Sequence, residues 1–314
     1  MSKYLITGGA GFIGSNIAHR LVSLGEKVRI VDNLSTGHLR NIEDILNSVE
    51  FIEGDFTQLE VAKASVNGID YVLHQGAVPS VPRSIKDPIY SNSSNISGTL
   101  NLLIASRDAG VKRFVFAGSS SVYGDSPVTP KVESMPTNPK SPYAIQKLAS
   151  ELYCQNFYSI YGLETVCLRY FNVFGPRQSF DSAYSAVIPV FINTMLKGDS
   201  PIIYGDGNTS RDFTFVDNNV NANLLACEAS SECAGEVINI ACGESISLNE
   251  LVAKINKILG SNIKPIYKES RKGDVNHSLA DISKAKSLLN YNPVVDFVDG
   301  LNRTIDAIKL NVRY

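Results

Sequence analysis

The chain has no tryptophan, only three methionines, and no apolar run that approaches the length of a membrane span. A bilayer crossing takes about 20 consecutive apolar residues, so no membrane partner is expected. Neither charge sign dominates: 29 Lys and Arg stand against 31 Asp and Glu, and no basic run occurs. Nucleic-acid binders carry a basic stripe or patch, so no nucleic-acid partner is expected either. The five cysteines, Cys154, Cys167, Cys227, Cys233 and Cys242, are odd in number and form no CxxC pair. That pattern argues against a disulfide framework and against a metal site, and for reduced, buried thiols. Residues 1–6 run straight into a strand, which leaves no room for a secretory leader; a cytoplasmic location is expected. Internal repeats, low-complexity segments and long linkers are absent as well.

What remains is an ordinary globular composition, 44% hydrophobic and 19% charged over 314 residues. That length supports a large core and a second, smaller lobe. Lys3–Thr7 is a short apolar run that reads as a buried strand. It meets Gly8-Gly-Ala-Gly11-Phe12-Ile13-Gly14, after which Ile13, Ile17, Leu21 and Leu24 recur at helical spacing up to Gly25. Val28–Asp32 then resumes a strand that ends in a carboxylate. Strand, glycines, helix, strand and acid in this order make a dinucleotide-binding fingerprint. The glycines serve the tight turn, the close approach of pyrophosphate and the packing of helix on strand. The helix amino terminus offers N–H groups and a positive dipole end to phosphate. Asp32 is placed to bind ribose hydroxyls and to repel a 2′-phosphate, which selects NAD over NADP.

Strand-like runs at Phe51-Ile52, Tyr71–His74, Phe114–Phe116 and Val166–Tyr170 alternate with helical stretches near 92–109 and 143–161. The expected fold is therefore α/β, a Rossmann-type doubly wound parallel sheet. Asp32, Asp55, Gln75, Ser119 and Asn172 each follow a strand run, which gathers them at the carboxyl rim where such sheets bind ligands. Beyond residue 173 the sequence becomes rich in turns and is expected to form a smaller α/β substrate-binding lobe. The division predicted is 1–172 for the NAD-binding domain and 173–314 for that lobe, with Val237–Ile240 returning to the main sheet.

Chemistry is carried by Ser119 in Ser119-Ser-Ser-Val-Tyr-Gly124 and by Tyr143 and Lys147 in Ser141-Pro-Tyr143-Ala-Ile-Gln-Lys147. Residues four apart share a helix face, so the ammonium is expected to draw the phenol down from about 10 towards neutrality. A base near working pH suits removal of a proton from a sugar hydroxyl, with the serine holding the same oxygen.

With these motifs the chain resembles the extended short-chain dehydrogenase/reductases and, within them, the nucleotide-sugar 4-epimerases. Arg169-Tyr-Phe-Asn172, Gly207-Asn-Thr-Ser-Arg211-Asp-Phe and Arg271-Lys-Gly-Asp274 extend the likeness over nearly the whole chain. The resemblance implies a retained NAD, a UDP-sugar in the cleft and a transient 4-keto sugar, with Ser119, Tyr143 and Lys147 catalytic. It implies cofactor contacts from Gly8, Gly11, Phe12, Ile13, Gly14, Asp32, Asn33, Thr36, Gly37, Asp55 and Phe56. Gln75, Gly76, Ala77, Asn95, Tyr143, Lys147 and Phe171 complete that set. It assigns the substrate to Ser80, Ser119, Tyr143, Asn172, Val187, Tyr204, Arg211, Arg271, Asp274 and Ser278. Paired arginines suit a diphosphate because each guanidinium can bind its oxygens bidentately. A dimer packed through helices near 92–109 and 143–161 is also implied.

Where related dehydratases carry Asp-Glu after the serine, this chain has Ser120-Ser121, which argues against loss of water from the sugar. Pro79 and Gly118 stand where galactose-type epimerases have lysine and serine. At Ser278, hexose-restricted epimerases carry a tyrosine; a small residue leaves room for a 2-acetamido group. The expected reaction is interconversion of UDP-GlcNAc and UDP-GalNAc, with UDP-glucose and UDP-galactose also accepted. Alternatives are a UDP-glucuronate 4-epimerase and a catalytically silent NAD-sensing regulator.

Overall fold

The computed structural model describes residues 1–179, 186–270 and 277–311. Its frame is a sheet of seven parallel strands: β1 (Lys3–Thr7), β2 (Lys27–Asp32), β3 (Val49–Glu53), β4 (Tyr71–His74), β5 (Arg113–Ser119), β6 (Glu164–Tyr170) and β7 (Val237–Ile240). Their order is β7-β6-β5-β4-β1-β2-β3, so the winding reverses between β1 and β4. Strands buried on both faces read as continuous apolar runs, and successive residues serve opposite faces.

Ile6, Ile30, Leu73, Val115 and Leu168 point to one layer, where Ile17 and Leu21 of α1 (Phe12–Ser23) pack. Leu5, Val72, Phe114, Phe116 and Cys167 point to the other. There they meet Val66 of α2 (Leu59–Val66), Leu102 of α3 (Gly98–Asp108) and Phe157 of α4 (Pro142–Tyr161). Full burial of one such side chain is worth about 1.5–3 kcal/mol. The doubly wound α/β fold expected from the sequence is the fold found.

After β6 the chain leaves the sheet and returns. Val173–Phe174 pairs with Thr214–Phe215, and Ser210–Arg211 pairs with Ile246–Ser247. Ile202–Tyr204 pairs with Ile266–Lys268. Between these excursions α6 (Val216–Glu228), which follows α5 (Val187–Leu196), packs on β5, β6 and α1, and β7 pairs with β6. Hydrophobic periodicity does not reveal α6, because Asn218, Asn219, Asn221 and Asn223 break its apolar pattern. Asn223 is nevertheless buried, and its amide donates to the Tyr170 hydroxyl at 2.7 Å. No helix among the described residues is long and apolar enough to cross a membrane. All five cysteines are free.

Candidate active site and dinucleotide cradle

The glycine turn is built by contact. Gly8 has φ +65°, its N–H reaches the Val31 carbonyl at 2.9 Å, and its own carbonyl accepts from Gly11 at 3.0 Å. A Cβ on Gly14 would lie 2.3 Å from the Gly8 oxygen, so only glycine lets α1 start this close to β1. Gly11 caps α1 without a side-chain bond, leaving the first-turn amides to a ligand. Phe12 and Ile13, half-buried, pack that turn on the core. Asp32 is buried, Oδ2 accepting from Ala10 N–H at 2.9 Å and Oδ1 from Leu34 N–H at 2.8 Å. Burial pushes its carboxyl up, and the two backbone bonds hold it back. Each oxygen keeps a lone pair for a ribose hydroxyl. Gly37 stands against Ala10 and Asp32 where a Cβ would collide; Thr36 is exposed. Asn33 donates to Asp55 at 3.2 Å. An uncapped helix start beside a preoriented carboxylate fits a dinucleotide.

Two expected cofactor residues have buried rings. Phe171 has no exposed surface and lies among Val122, Tyr123, Ala241 and Ile282. The Phe56 ring is buried edge-on to His74, where Gly76 and Gly98 leave room for it. Asn95 is also committed: Oδ1 accepts from Val78 N–H at 2.7 Å, and Nδ2 donates to Gln146 at 2.8 Å. Its amide thus ties down Val78, next to the half-buried Ala77. Gln75 joins Tyr170 and Asn223 in a closed set of hydrogen bonds.

His74 shows how that loop is held. Gly76 N–H donates to Thr7 Oγ1, which meets His74 Nδ1 at 2.6 Å. On the other side Nε2 meets Thr99 Oγ1 at 2.9 Å, and Thr99 donates to the Asn95 carbonyl. The chain of donors assigns the proton to Nε2. Burial, aided by the Lys147 charge, pushes the imidazole down to about 3, so it stays neutral.

Ser119 ends β5 opposite Tyr170, its Oγ 2.9 Å from Ser121 Oγ. A Cβ at Gly118 would lie 3.1 Å from the Leu168 oxygen, which favours glycine there. Tyr143 and Lys147 lie on the first turns of α4, capped by Ser141 with Pro142 at the first helical position. The Ser119 hydroxyl lies near enough to Tyr143 to favour its ionised form. Lys147 Nζ donates to the Ala117 carbonyl at 2.8 Å and lies 6.0 Å from the Tyr143 ring centre. Burial pushes Lys147 down to about 8. The Tyr143 phenol is pushed up by burial and only held back by Ser119. In the protein alone, burial therefore outweighs the expected ammonium effect on the phenol.

The expected substrate residues fall in several places. Ser80 caps the short helix Val81–Lys86, accepting from Arg83 N–H. Asn172 has φ +29° and donates to the Asp212 carbonyl. Arg211 is half-buried, as are Val187 and Tyr204. Ser278, half-buried, donates its N–H to the Ser210 carbonyl at 3.1 Å, which sets it beside Arg211. Arg271 and Asp274 lie outside the described residues.

Asp212, the residue after Arg211, carries no signal of its own in the sequence and emerges only in the fold. Fully buried, it accepts from Cys242, Gly243 and Ala280 N–H at 3.0, 3.0 and 3.2 Å, tying three segments around Arg211 and Ser278. Burial, against those bonds, raises it to about 6. A carboxyl raised in the folded state binds its proton more tightly there than in the unfolded chain. Its stability contribution is therefore full below the unfolded value near 4 and is lost as pH rises through about 6. We expect the stability difference between the parent and Asp212→Asn to shrink by about 3 kcal/mol from pH 4 to 7. Denaturant unfolding across that range checks this; a flat difference would exclude titration of Asp212 there.

Glycine turn, buried acid and Ser-Tyr-Lys rim together define a dinucleotide-dependent enzyme acting on a hydroxyl. Residues 4–241 match the NAD dependent epimerase/dehydratase family, and the chain belongs to that family. It is an NAD-binding nucleotide-sugar epimerase of the extended short-chain dehydrogenase/reductases. A UDP-N-acetylglucosamine 4-epimerase from Methanobrevibacter ruminantium, solved with UDP-N-acetylmuramic acid, is 41% identical with a TM-score of 0.94, covering 99% of each chain. A UDP-glucose 4-epimerase from Thermotoga maritima, solved with UDP-glucose, is 38% identical with a TM-score of 0.93, again over 99% of each. A UDP-glucuronate 4-epimerase of Thermodesulfobacterium geofontis is 36% identical over 99% of this chain and 98% of its own length. Similar identity to relatives named for three different sugars means that overall likeness does not select the substrate.

Proposed function

We propose that this chain is a UDP-hexose 4-epimerase that interconverts UDP-GlcNAc and UDP-GalNAc, and UDP-glucose and UDP-galactose, through a transient 4-keto sugar. The observation that carries it is the rim that brings Ser119, at the end of β5, together with Tyr143 and the buried Lys147 on α4, with hydroxyls rather than carboxylates at Ser120 and Ser121. Tyr143 takes the proton of the sugar's 4-hydroxyl and later returns it, while Ser119 holds the oxygen. Bound NAD would supply the hydride acceptor and, once reduced, the donor at carbon 4. Lys147 would bind the nicotinamide ribose, and Asp32 with the first-turn amides of α1 would hold the adenosine ribose and pyrophosphate. Asn172 and Arg211, with Arg271 and Asp274, would bind the UDP moiety. In this reading residues 1–172 hold the cofactor and most of 173–314 hold the substrate.

The test is NMR of the purified protein mixed separately with UDP-GlcNAc, UDP-glucose and UDP-glucuronate, without added coenzyme. Conversion of the first two is expected. Turnover of UDP-glucuronate alone would favour the uronate epimerase. Retention of NAD with no conversion at all would favour the silent regulator.

The sugar range is supported by Ser278, small and next to Arg211. Ser278→Tyr is expected to abolish turnover of UDP-GlcNAc while sparing UDP-glucose, read as the ratio of kcat/KM for the two. An unchanged ratio would remove Ser278 as the gate.

A homodimer is part of the same proposal. Ile145, Leu152, Tyr153 and Ile160 recur on one face of α4 and are exposed, as are Ile85 and Ile89 before it. A contiguous apolar face of this kind calls for a partner. Sedimentation of the protein as a monomer at micromolar concentration would contradict it.

A further inference from the structure

We propose that Ser84 is a positioning residue for Tyr143, its buried hydroxyl accepting the Tyr143 backbone N–H and so fixing the first turn of α4. The inference rests on the function proposed above and concerns how its proton-transfer group is held.

A helix start leaves N–H groups without partners inside the helix, and one capping side chain reaches N2 or N3, not both. In α4 nearly every such donor has a partner. Pro142 has no N–H, Ala144 N–H goes to Ser141 Oγ at 3.2 Å, and Ile145 N–H goes to the Ser141 carbonyl at 3.0 Å. The remaining donor belongs to Tyr143 itself. It reaches Ser84 Oγ at 3.0 Å, across 59 residues of chain.

Ser84 is completely buried, and its hydroxyl donates in turn to the Val81 carbonyl at 2.7 Å. That bond fixes the direction of its lone pairs. Ser84 lies on the short helix Val81–Lys86 that begins at Ser80, so the segment proposed to meet the sugar is tied directly to the base.

Further along α4, the same stretch of chain makes a second set of bonds. Gln146 donates to Ser91 Oγ at 3.0 Å and accepts from Asn95, and Ser150 donates to the Asn95 carbonyl at 2.7 Å. The Asn95 carbonyl, which also accepts from Thr99, lies in the π-helical turn Ser93–Ser97, a local widening common at functional sites. These contacts hold the second and third turns of α4. They do not hold the first, where the phenol begins. Without the Ser84 oxygen a buried N–H has no partner, and the first turn can relieve this only by shifting, which carries the phenol away from Ser119.

Misplacement of a reacting group by about 1 Å can cost about 10²-fold in rate. In the NAD-loaded protein, Ser84→Ala is expected to lower kcat at least about tenfold with KM changed by less than about twofold. The acid limb of its kcat profile should move to higher pH, because the phenol moves away from the Ser119 hydroxyl that favours its ionised form. A readout independent of any sugar is the tyrosinate absorption of Tyr143, taken as the difference between each protein and its Tyr143→Phe counterpart. In Ser84→Ala it should titrate at least about half a pH unit higher. Ser84→Cys, nearly isosteric with a weaker acceptor, should fall between Ser84→Ala and the parent, and it carries the same measurements if Ser84→Ala fails to fold. Rates and Tyr143 titration matching the parent in the folded variants would overturn the proposal. So would a rate loss proportional to the unfolded fraction with unaltered titration, which marks a merely structural role. If the parent converts no UDP-sugar, the functional reading fails, yet the phenol titration still decides whether Ser84 positions Tyr143.

Discussion

Tyr143→Phe should lower the epimerisation rate by about 10²–10⁴-fold, the usual worth of a positioned acid–base group. The phenylalanine keeps the ring and loses only the oxygen, and Lys147 keeps its bond to the Ala117 carbonyl. The dinucleotide should therefore remain bound, and melting temperature should change little. Because burial holds the phenol up in the protein alone, the parent should gain rate as pH rises. That limb is ionisation of Tyr143, helped by whatever positive charge the bound cofactor adds beside it. Steady-state rates across pH, with retained NAD measured in the same preparation, check both halves. A variant within about tenfold of the parent would remove Tyr143 from proton transfer.

The second large effect is one of stability. Tyr143, Lys147 and Glu151 are spaced four apart along α4, so a carboxylate follows the Tyr143 and Lys147 pair on one stripe of the helix. Glu151 binds Arg169 of β6 through both oxygens, at 2.6 and 2.9 Å, and both side chains are almost wholly buried. Burial works against the guanidinium charge, but the carboxylate outweighs it and holds Arg169 above its ordinary value. Arg169 also lies 4.7 Å over the Tyr123 ring, whose hydroxyl donates to Asn239 of β7 at 2.7 Å. Glu151→Ala leaves that cation uncompensated, which costs about 3–5 kcal/mol in comparable buried pairs. The expected result is a matching loss in denaturant-unfolding free energy. Replacing both partners by apolar residues of similar volume should recover much of it, since the pair is costly to desolvate as well as to break. A loss below about 1 kcal/mol for Glu151→Ala would mean the charge finds water.

Much of the site is legible in the sequence. The glycine turn, Asp32 and the Ser119, Tyr143 and Lys147 set are local in sequence, or become so once a helix places residues four apart together. The central strands β1, β4, β5 and β6 stand out because parallel strands buried on two faces read as apolar runs. Glu151 and Arg169 each lie in a recognisable helix or strand, yet nothing in spacing along the chain pairs residues 18 apart on those two elements. Asp212 escapes a sequence reading for the same reason, since its three partners come from residues 242, 243 and 280. The burial of the Phe171 and Phe56 rings is likewise a matter of packing that their motifs do not reveal.

By itself, then, the sequence determined the parallel sheet and the glycine turn that opens it, and it singled out the candidate reacting groups, because helical and strand periods convert short spacings directly into geometry. Tertiary structure alone decided the state of those groups. Whether a phenol is acidified or held up by burial depends on which neighbours face it after packing. Here Lys147 is engaged by the Ala117 carbonyl, and a serine 59 residues away holds the Tyr143 backbone. Desolvation and long-range hydrogen bonds belong to surfaces that meet only when the chain has folded.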